Sequence, residues 1–161
     1  FNTLRFYNNV IDGGQFGIYV QSLHTGTPGD RFYNNIFINI PQYVFNDATA
    51  NKLTREDYNI WQTTGTGTGY NTWTQGEGTN TLNVDPSFVD AITANYRLNW
   101  TSPAINSGTS TLQYPQDYYG NSAPYGIIDR GIYEYQGLAG AGKTVLSGGT
   151  KTCSGGVSTR R

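Results

Sequence analysis

The chain has 161 residues, a formal net charge of −1 and only 13% charged side chains, so its overall field exerts no pull on nucleic acid or an anionic bilayer. Its 21 Gly and 13 Tyr, with no Met, favour strands and turns, because aromatic side chains fit pleated surfaces while Gly serves tight corners. No apolar run reaches the roughly 18 residues of a membrane span, and the single cysteine, Cys153, excludes an internal disulfide while leaving the redox compartment open.

A phrase recurs along the first third of the chain. RFYNNVI at 5–11 returns as RFYNNIF at 31–37 and, more weakly, as REDYNIW from Arg55. Strand alternation places Phe6 inward, Arg5 and Tyr7 outward, Asn9 at a bend and Ile11 inward. The second copy places Phe32 and Phe37 inward, Arg31 and Tyr33 outward, and Asn35 at the bend. The segments GIYV at 17–20 and YVF at 43–45 hold corresponding places after each copy. No stretch of a dozen residues carries apolar side chains at helical spacing without Gly, Pro or Asn intervening, so no helix is expected and the fold is all-β.

A recurrence of about 25 residues points to a solenoid, whose units bury apolar faces only against their neighbours. Stacking at the strand spacing of about 4.8 Å would set Asn9, Asn35 and Asn59 in one column. Asn suits a buried corner because it tolerates left-handed backbone and its amide both donates and accepts along the stack.

Beyond the third copy come a Thr/Gly loop, TTGTGTGYNT at 63–72, and then VDPSFVD at 84–90, NYRLNWTSPAINSG at 95–108, DYYGN at 117–121 and IDRGIYEY at 128–135. Asp85-Pro86 and Ser102-Pro103 read as turn makers. The last stretch, 137–161, is Gly-rich and basic with no acidic residue, the composition of a flexible linker or an anchor-proximal tail. Within it, KTVLS could add a strand to a sheet edge. The expected organisation is repeated coils over 1–62, loop and closing coils over 63–136, and the tail over 137–161. With Phe1 in first place and neither initiator Met nor signal peptide, the chain reads as a processed product or a fragment.

The YNN(V/I) corners followed by GIYV resemble right-handed parallel β-helix proteins of the pectate-lyase-like class. The order of VDPSF, YRLNWTSPAINSG, DYYGN and IDRGIYEY is similar to the closing segment of secreted bacterial β-helix proteins of the choice-of-anchor type. Departures are Ile132 where Ala is usual, Arg130 where an apolar residue is usual, and no Arg after Gly120 and Asn121. The resemblance covers about Arg5 to Tyr135 and implies a right-handed parallel β-helix with an irregular cap, at an extracellular or cell-surface location. It also implies that IDRGIYEY is structural.

Arg5, Arg31 and Arg55 fall at equivalent positions and are flanked by Tyr7 and Tyr33. Three stacked cations repel unless carboxylates or a polyanion sit beside them. Guanidinium forks pair with uronate carboxylates and tyrosine faces cover sugar rings, so this column is the candidate carbohydrate-binding face. Alternatively, Asp30, Asp57 and nearby carbonyls neutralise it. Lyases on β-helices combine a Lys or Arg base with carboxylates holding calcium. Arg55, Glu56 and Asp57 are sequence neighbours that point alternately, so no catalytic residue is assigned, and calcium is open but unsupported. His24, the single histidine, has no partner for a metal site, and a loop hydrogen bond is its expected role. Asn99 opens the one N-glycosylation sequon, and Cys153 is expected to be a lone thiol. Two function classes follow. One is a non-catalytic segment of a β-helix that binds polysaccharide, or processes it through upstream coils. The other is a structural subunit of a filament or adhesin stalk, pairing with copies of itself through exposed coil edges and the tail.

Overall fold

A computed structural model of the chain describes residues 4–20, 30–47, 55–62, 68–71, 78–110, 114–122 and 127–137. They form an all-β structure whose helical content, among the described residues, is one short 3-10 turn at Ala91–Thr93. No helix there is long and apolar enough to cross a membrane.

Each sequence repeat contributes three short strands. The first gives β1 (Arg5–Tyr7), β2 (Val10–Asp12) and β3 (Phe16–Val20); the second gives β4 (Arg31–Tyr33), β5 (Ile36–Ile38) and β6 (Tyr43–Asp47); the third gives β7 (Arg55–Asp57), β8 (Ile60–Gln62) and β9 (Thr68–Asn71). Equivalent strands pair in parallel as β1-β4-β7, β2-β5-β8 and β3-β6-β9, and β10 (Leu82–Asn83) extends the second sheet beyond β8. The register aligns the repeats residue by residue, with Arg5 opposite Arg31 opposite Arg55 and Val10 opposite Ile36 opposite Ile60.

The strands are short because a left-handed residue interrupts the chain at the same place in each repeat: Asn8 (φ 57), Asn34 (φ 59) and Tyr58 (φ 56). These positions correct the expectation that Asn9, Asn35 and Asn59 carry the left-handed backbone. The reversal falls one residue earlier and aims the following amide along the stack. In the third repeat Tyr58, a bulky side chain, takes this left-handed backbone at a cost of about 1–2 kcal/mol.

The central sheet is covered on both faces, as expected for a parallel sheet written NNIFINI. On one face Phe37 and Trp61 join Phe32, Ile40, Val44 and Phe45, with Phe6, Ile11 and Ile18 packed against them. Phe45 meets Phe32 and Phe37 edge-on, at interplanar angles of 66° and 67°. On the other face Ile36, Ile38 and Ile60 pack with Leu98 and Ala104, joined by Val10, Leu82, Phe88 and Tyr96. The segment after β10 thus lies along the outer face of the central sheet. It opens with the antiparallel pair β11 (Phe88–Asp90) and β12 (Asn95–Leu98), linked through the 3-10 turn.

The turn chemistry matches the sequence. The Asp85 carboxylate accepts from Ser87 N at 2.8 Å, and the Ser102 hydroxyl donates to the Pro86 carbonyl at 2.6 Å while accepting from Ala104 N at 3.1 Å. His24, Cys153, KTVLS and the tail beyond Gly137, for which the sequence raised expectations, lie outside the described residues.

Candidate functional site

A ladder of amides fixes the stack on which the candidate face is displayed. Asn35 Oδ1 accepts from Asn9 N at 3.0 Å and Asn9 Nδ2 at 3.1 Å; Asn59 Oδ1 accepts from Asn35 N at 2.9 Å and Asn35 Nδ2 at 3.0 Å. Asn35 and Asn59 are fully buried, so the ladder satisfies polar groups that water does not reach. It ends on the third repeat, where Asn59 N donates to Thr81 Oγ1 and Asn59 Nδ2 donates to Glu56. Glu56 occupies the register position of Phe32 and is itself buried.

The register places the five sequence-designated residues on one sheet. Arg5, Arg31 and Arg55 are adjacent and exposed, about 4.8 Å apart across paired strands. Tyr7 and Tyr33 stack beside them with ring centroids 5.9 Å apart and planes 16° from parallel. The carboxylates expected to neutralise the column are turned to other partners. Asp30 accepts from Leu4 N at 2.8 Å, and Asp57 accepts from Tyr58 N, Asn80 N and Asn80 Nδ2. Burial raises the Tyr7 phenol above its ordinary value, against the opposing pull of the Arg5 and Arg31 guanidinia. The arrangement is a row of cations beside an aromatic surface, which is chemistry suited to anions carried on apolar rings.

The face leads into a cleft of about 510 Å³, where Tyr7 and Asn8 meet Tyr114, Gln116, Tyr118 and Ile132 of the outer segment. Of these, Tyr114, Gln116 and Tyr118 were not singled out in the sequence, and Ile132 was noted only as a departure from the resemblance. The available signal for Tyr118 was the paired tyrosines of the run DYYGN at 117–121.

The outer segment is docked by two devices. Asn34 Oδ1 accepts from Thr109 N at 2.8 Å, its Nδ2 donates to Thr109 O at 3.1 Å, and the Asn34 carbonyl accepts from Gly131 N at 2.7 Å. Arg130 is buried, and its guanidinium donates to the Ser107 carbonyl at 2.9 Å and the Asn59 carbonyl at 2.8 Å. Burial pushes its pKa down to about 10, with Asp57 opposing the shift. Arg130 thus fastens the outer segment to the end of the ladder.

A buried acidic group organises the cleft wall. Asp117 accepts from Tyr119 N, Asn121 N, Asn121 Nδ2 and Glu134 N at 2.8–3.1 Å. Burial alone would raise its carboxyl, but these bonds outweigh it and hold the group below its ordinary value. Glu134 accepts from Tyr114 Oη at 2.7 Å and from Asp129 N. Burial raises its carboxyl, the Tyr114 bond opposes that rise, and the charge of Asp129 adds to it. Asp129 is likewise raised by burial, against hydrogen bonds from Asn106 N and Tyr135 N. These carboxylates are satisfied by backbone N–H groups of their own segment, an arrangement that builds turns. Among the described residues no three His, Cys, Asp or Glu side chains assemble a metal site.

The raised Glu134 gives a pH prediction. A carboxyl with a raised native pKa binds its proton more tightly when folded, so its contribution to stability is present at acid pH and lost as pH rises through the native value. Glu134→Gln lacks this titration. Its stability relative to the wild type is expected to increase from pH 4 toward neutrality, across the range above the ordinary value of 4.5. Urea unfolding of both proteins across that range checks it, and a relative stability that falls with pH would contradict the assignment.

Comparison of the chain with protein-family models, curated proteins and solved structures finds no match.

Proposed function

We propose that the chain is part of a right-handed parallel β-helix, secreted or displayed at a cell surface, that binds acidic polysaccharide across the face formed by Arg5, Tyr7, Arg31, Tyr33 and Arg55. Support for the solenoid comes from three repeats stacked in register in three parallel sheets. The binding reading rests above all on one observation: the three arginines align in strand register on the sheet that carries the Tyr7–Tyr33 stack, and no ion pair to them forms among the described residues. A uronate polymer would place carboxylates against the guanidinium forks and ring faces against the tyrosines, with one end entering the cleft at Tyr7 and Tyr118.

Titration calorimetry with polygalacturonate, its methyl ester and a neutral glucan tests the reading. Binding of the acidic polymer alone is expected, weakening with salt. Arg31→Gln, at the centre of the column, is expected to weaken it about tenfold, equivalent to about 1.4 kcal/mol. Equal binding of ester and acid, or no binding of either, would overturn it.

A second reading, self-assembly into a filament or stalk, is favoured by strand edges left open within the chain: among the described residues β7 and β9 each pair on one side only. Such edges invite pairing with another chain. Concentration-dependent growth of particles in sedimentation would support it, and a monomer at every concentration would remove it.

A further inference from the structure

The turn at Asp117 separates two clefts. Tyr118 lines the one beside Tyr7, and Tyr119, the next residue, lines another of about 540 Å³ between the β11–β12 pair and the 133–137 segment. Three layers define one wall of this second cleft. The Arg97 guanidinium carbon lies 4.2 Å from the Tyr119 ring centroid, and Tyr119 stacks on Tyr133 at 4.6 Å with planes 17° apart. A guanidinium held by its face keeps the N–H edge available to a partner, and the underlying stack fixes its direction.

Two acidic residues also line the cleft, but both are engaged elsewhere. Asp117 and Glu134 are buried, and their oxygens accept from the backbone and from Asn121 and Tyr114. Arg97 forms no ion pair among the described residues, so its guanidinium is not taken up by the two carboxylates of the wall, whose oxygens are held by the bonds above. Trp100, 68% exposed, supplies a broad apolar surface at the same cleft, and the Gln136 amide adds a polar group. An indole plate, an oriented guanidinium and an amide in one concavity are the elements that recognise a sugar ring bearing a carboxylate.

We propose that this cleft is a second binding site, for a uronate-bearing oligosaccharide, in which Trp100 covers the apolar face of a ring and Arg97 pairs with its carboxylate. The site shares a ligand class with the Arg5–Arg55 face but none of its residues, and it stands whether or not that face binds. Tyr119 is a positioning residue here, acting through Arg97.

The test is two-dimensional NMR of the full chain titrated with trigalacturonate and with its methyl ester. The acid is expected to shift the Trp100 indole N–H and the Arg97 Nε–H resonances, assigned from Trp100→Phe and Arg97→Gln. Arg97→Gln is expected to weaken the interaction about tenfold, and Tyr119→Leu to weaken it by a similar factor, both with the fold's remaining resonances unmoved. No shift at Trp100 up to about 10 mM sugar, weaker than any useful subsite, overturns the proposal. So does equal response to the ester, or full affinity in Arg97→Gln. Shifts confined to Arg5, Arg31 and Arg55 overturn this cleft and leave the other face standing; shifts confined to Arg97 and Trp100 do the reverse.

Discussion

Replacing Asn35 with alanine is expected to lower the unfolding free energy by about 3–5 kcal/mol. The residue is fully buried and makes four side-chain hydrogen bonds: its Oδ1 accepts two from Asn9, and its Nδ2 donates to the Phe6 carbonyl at 2.9 Å and to Asn59 Oδ1 at 3.0 Å. Alanine removes all four and leaves Asn9 N without its side-chain acceptor. Each orphaned buried group costs about 1–3 kcal/mol, partly offset where a neighbour retains another partner, as Asn59 Oδ1 does with Asn35 N at 2.9 Å. Asn9→Ala, at the more exposed end of the ladder, removes no acceptor for a neighbouring repeat and is expected to cost about 1–2 kcal/mol. Denaturant unfolding at constant m-value measures both. Equal costs at the two positions would mean that the ladder is not cooperative and that apolar stacking alone holds the repeats in register.

Gly131→Ala is expected to cost about 2–4 kcal/mol and to open the first cleft. Its φ of +90 lies where side chains are strained, and a Cβ would stand 2.9 Å from Ile36 Cδ1 and 3.3 Å from Val10 Cγ2. Both contacts lie in the packing between the central sheet and the outer segment. The backbone at this point also donates to the Asn34 carbonyl at 2.7 Å, so relief by moving the chain would break a docking bond. Because Ile132 lines the cleft beside Tyr7, hydrogen exchange should show loss of protection around Tyr118 and Ile132 before any loss in β5. A substitution tolerated within about 0.5 kcal/mol would show that the segment is held loosely.

The repeats were legible because their registration is written in side chains of fixed period. Arg5, Arg31 and Arg55, or Phe6 and Phe32, occur at matching offsets, and parallel pairing converts equal offsets into adjacency. The Asn column was legible for the same reason, although the left-handed residue was placed one position late. Period-two alternation cannot register a corner, since the reversal at Asn8 changes which way the next side chain faces. The outer segment was less legible. It carries no repeat, and its contacts join residues far apart in sequence, such as Asn34 with Thr109 and Arg130 with Asn59. Its clefts arise from that docking, so Tyr114, Tyr118, Arg97 and Trp100 gave no local sign of sharing concavities. Arg130 gave no local sign of its role, because the Ser107 and Asn59 carbonyls that its guanidinium reaches are distant in sequence.

The ends of the amide ladder are chemically different, and this sets how the molecule could change length over evolutionary time. The second repeat offers the same groups above and below, so an internal duplication of it would find its neighbours already complementary. The third repeat ends in Glu56 and Thr81, whose carboxylate and hydroxyl close off Asn59. A duplicated third repeat would bury a carboxylate beneath another unit, without the Thr81 and Gly78 groups that now satisfy it. Growth by gene duplication is therefore directional, admitting new units among the early repeats and refusing them at the capped one.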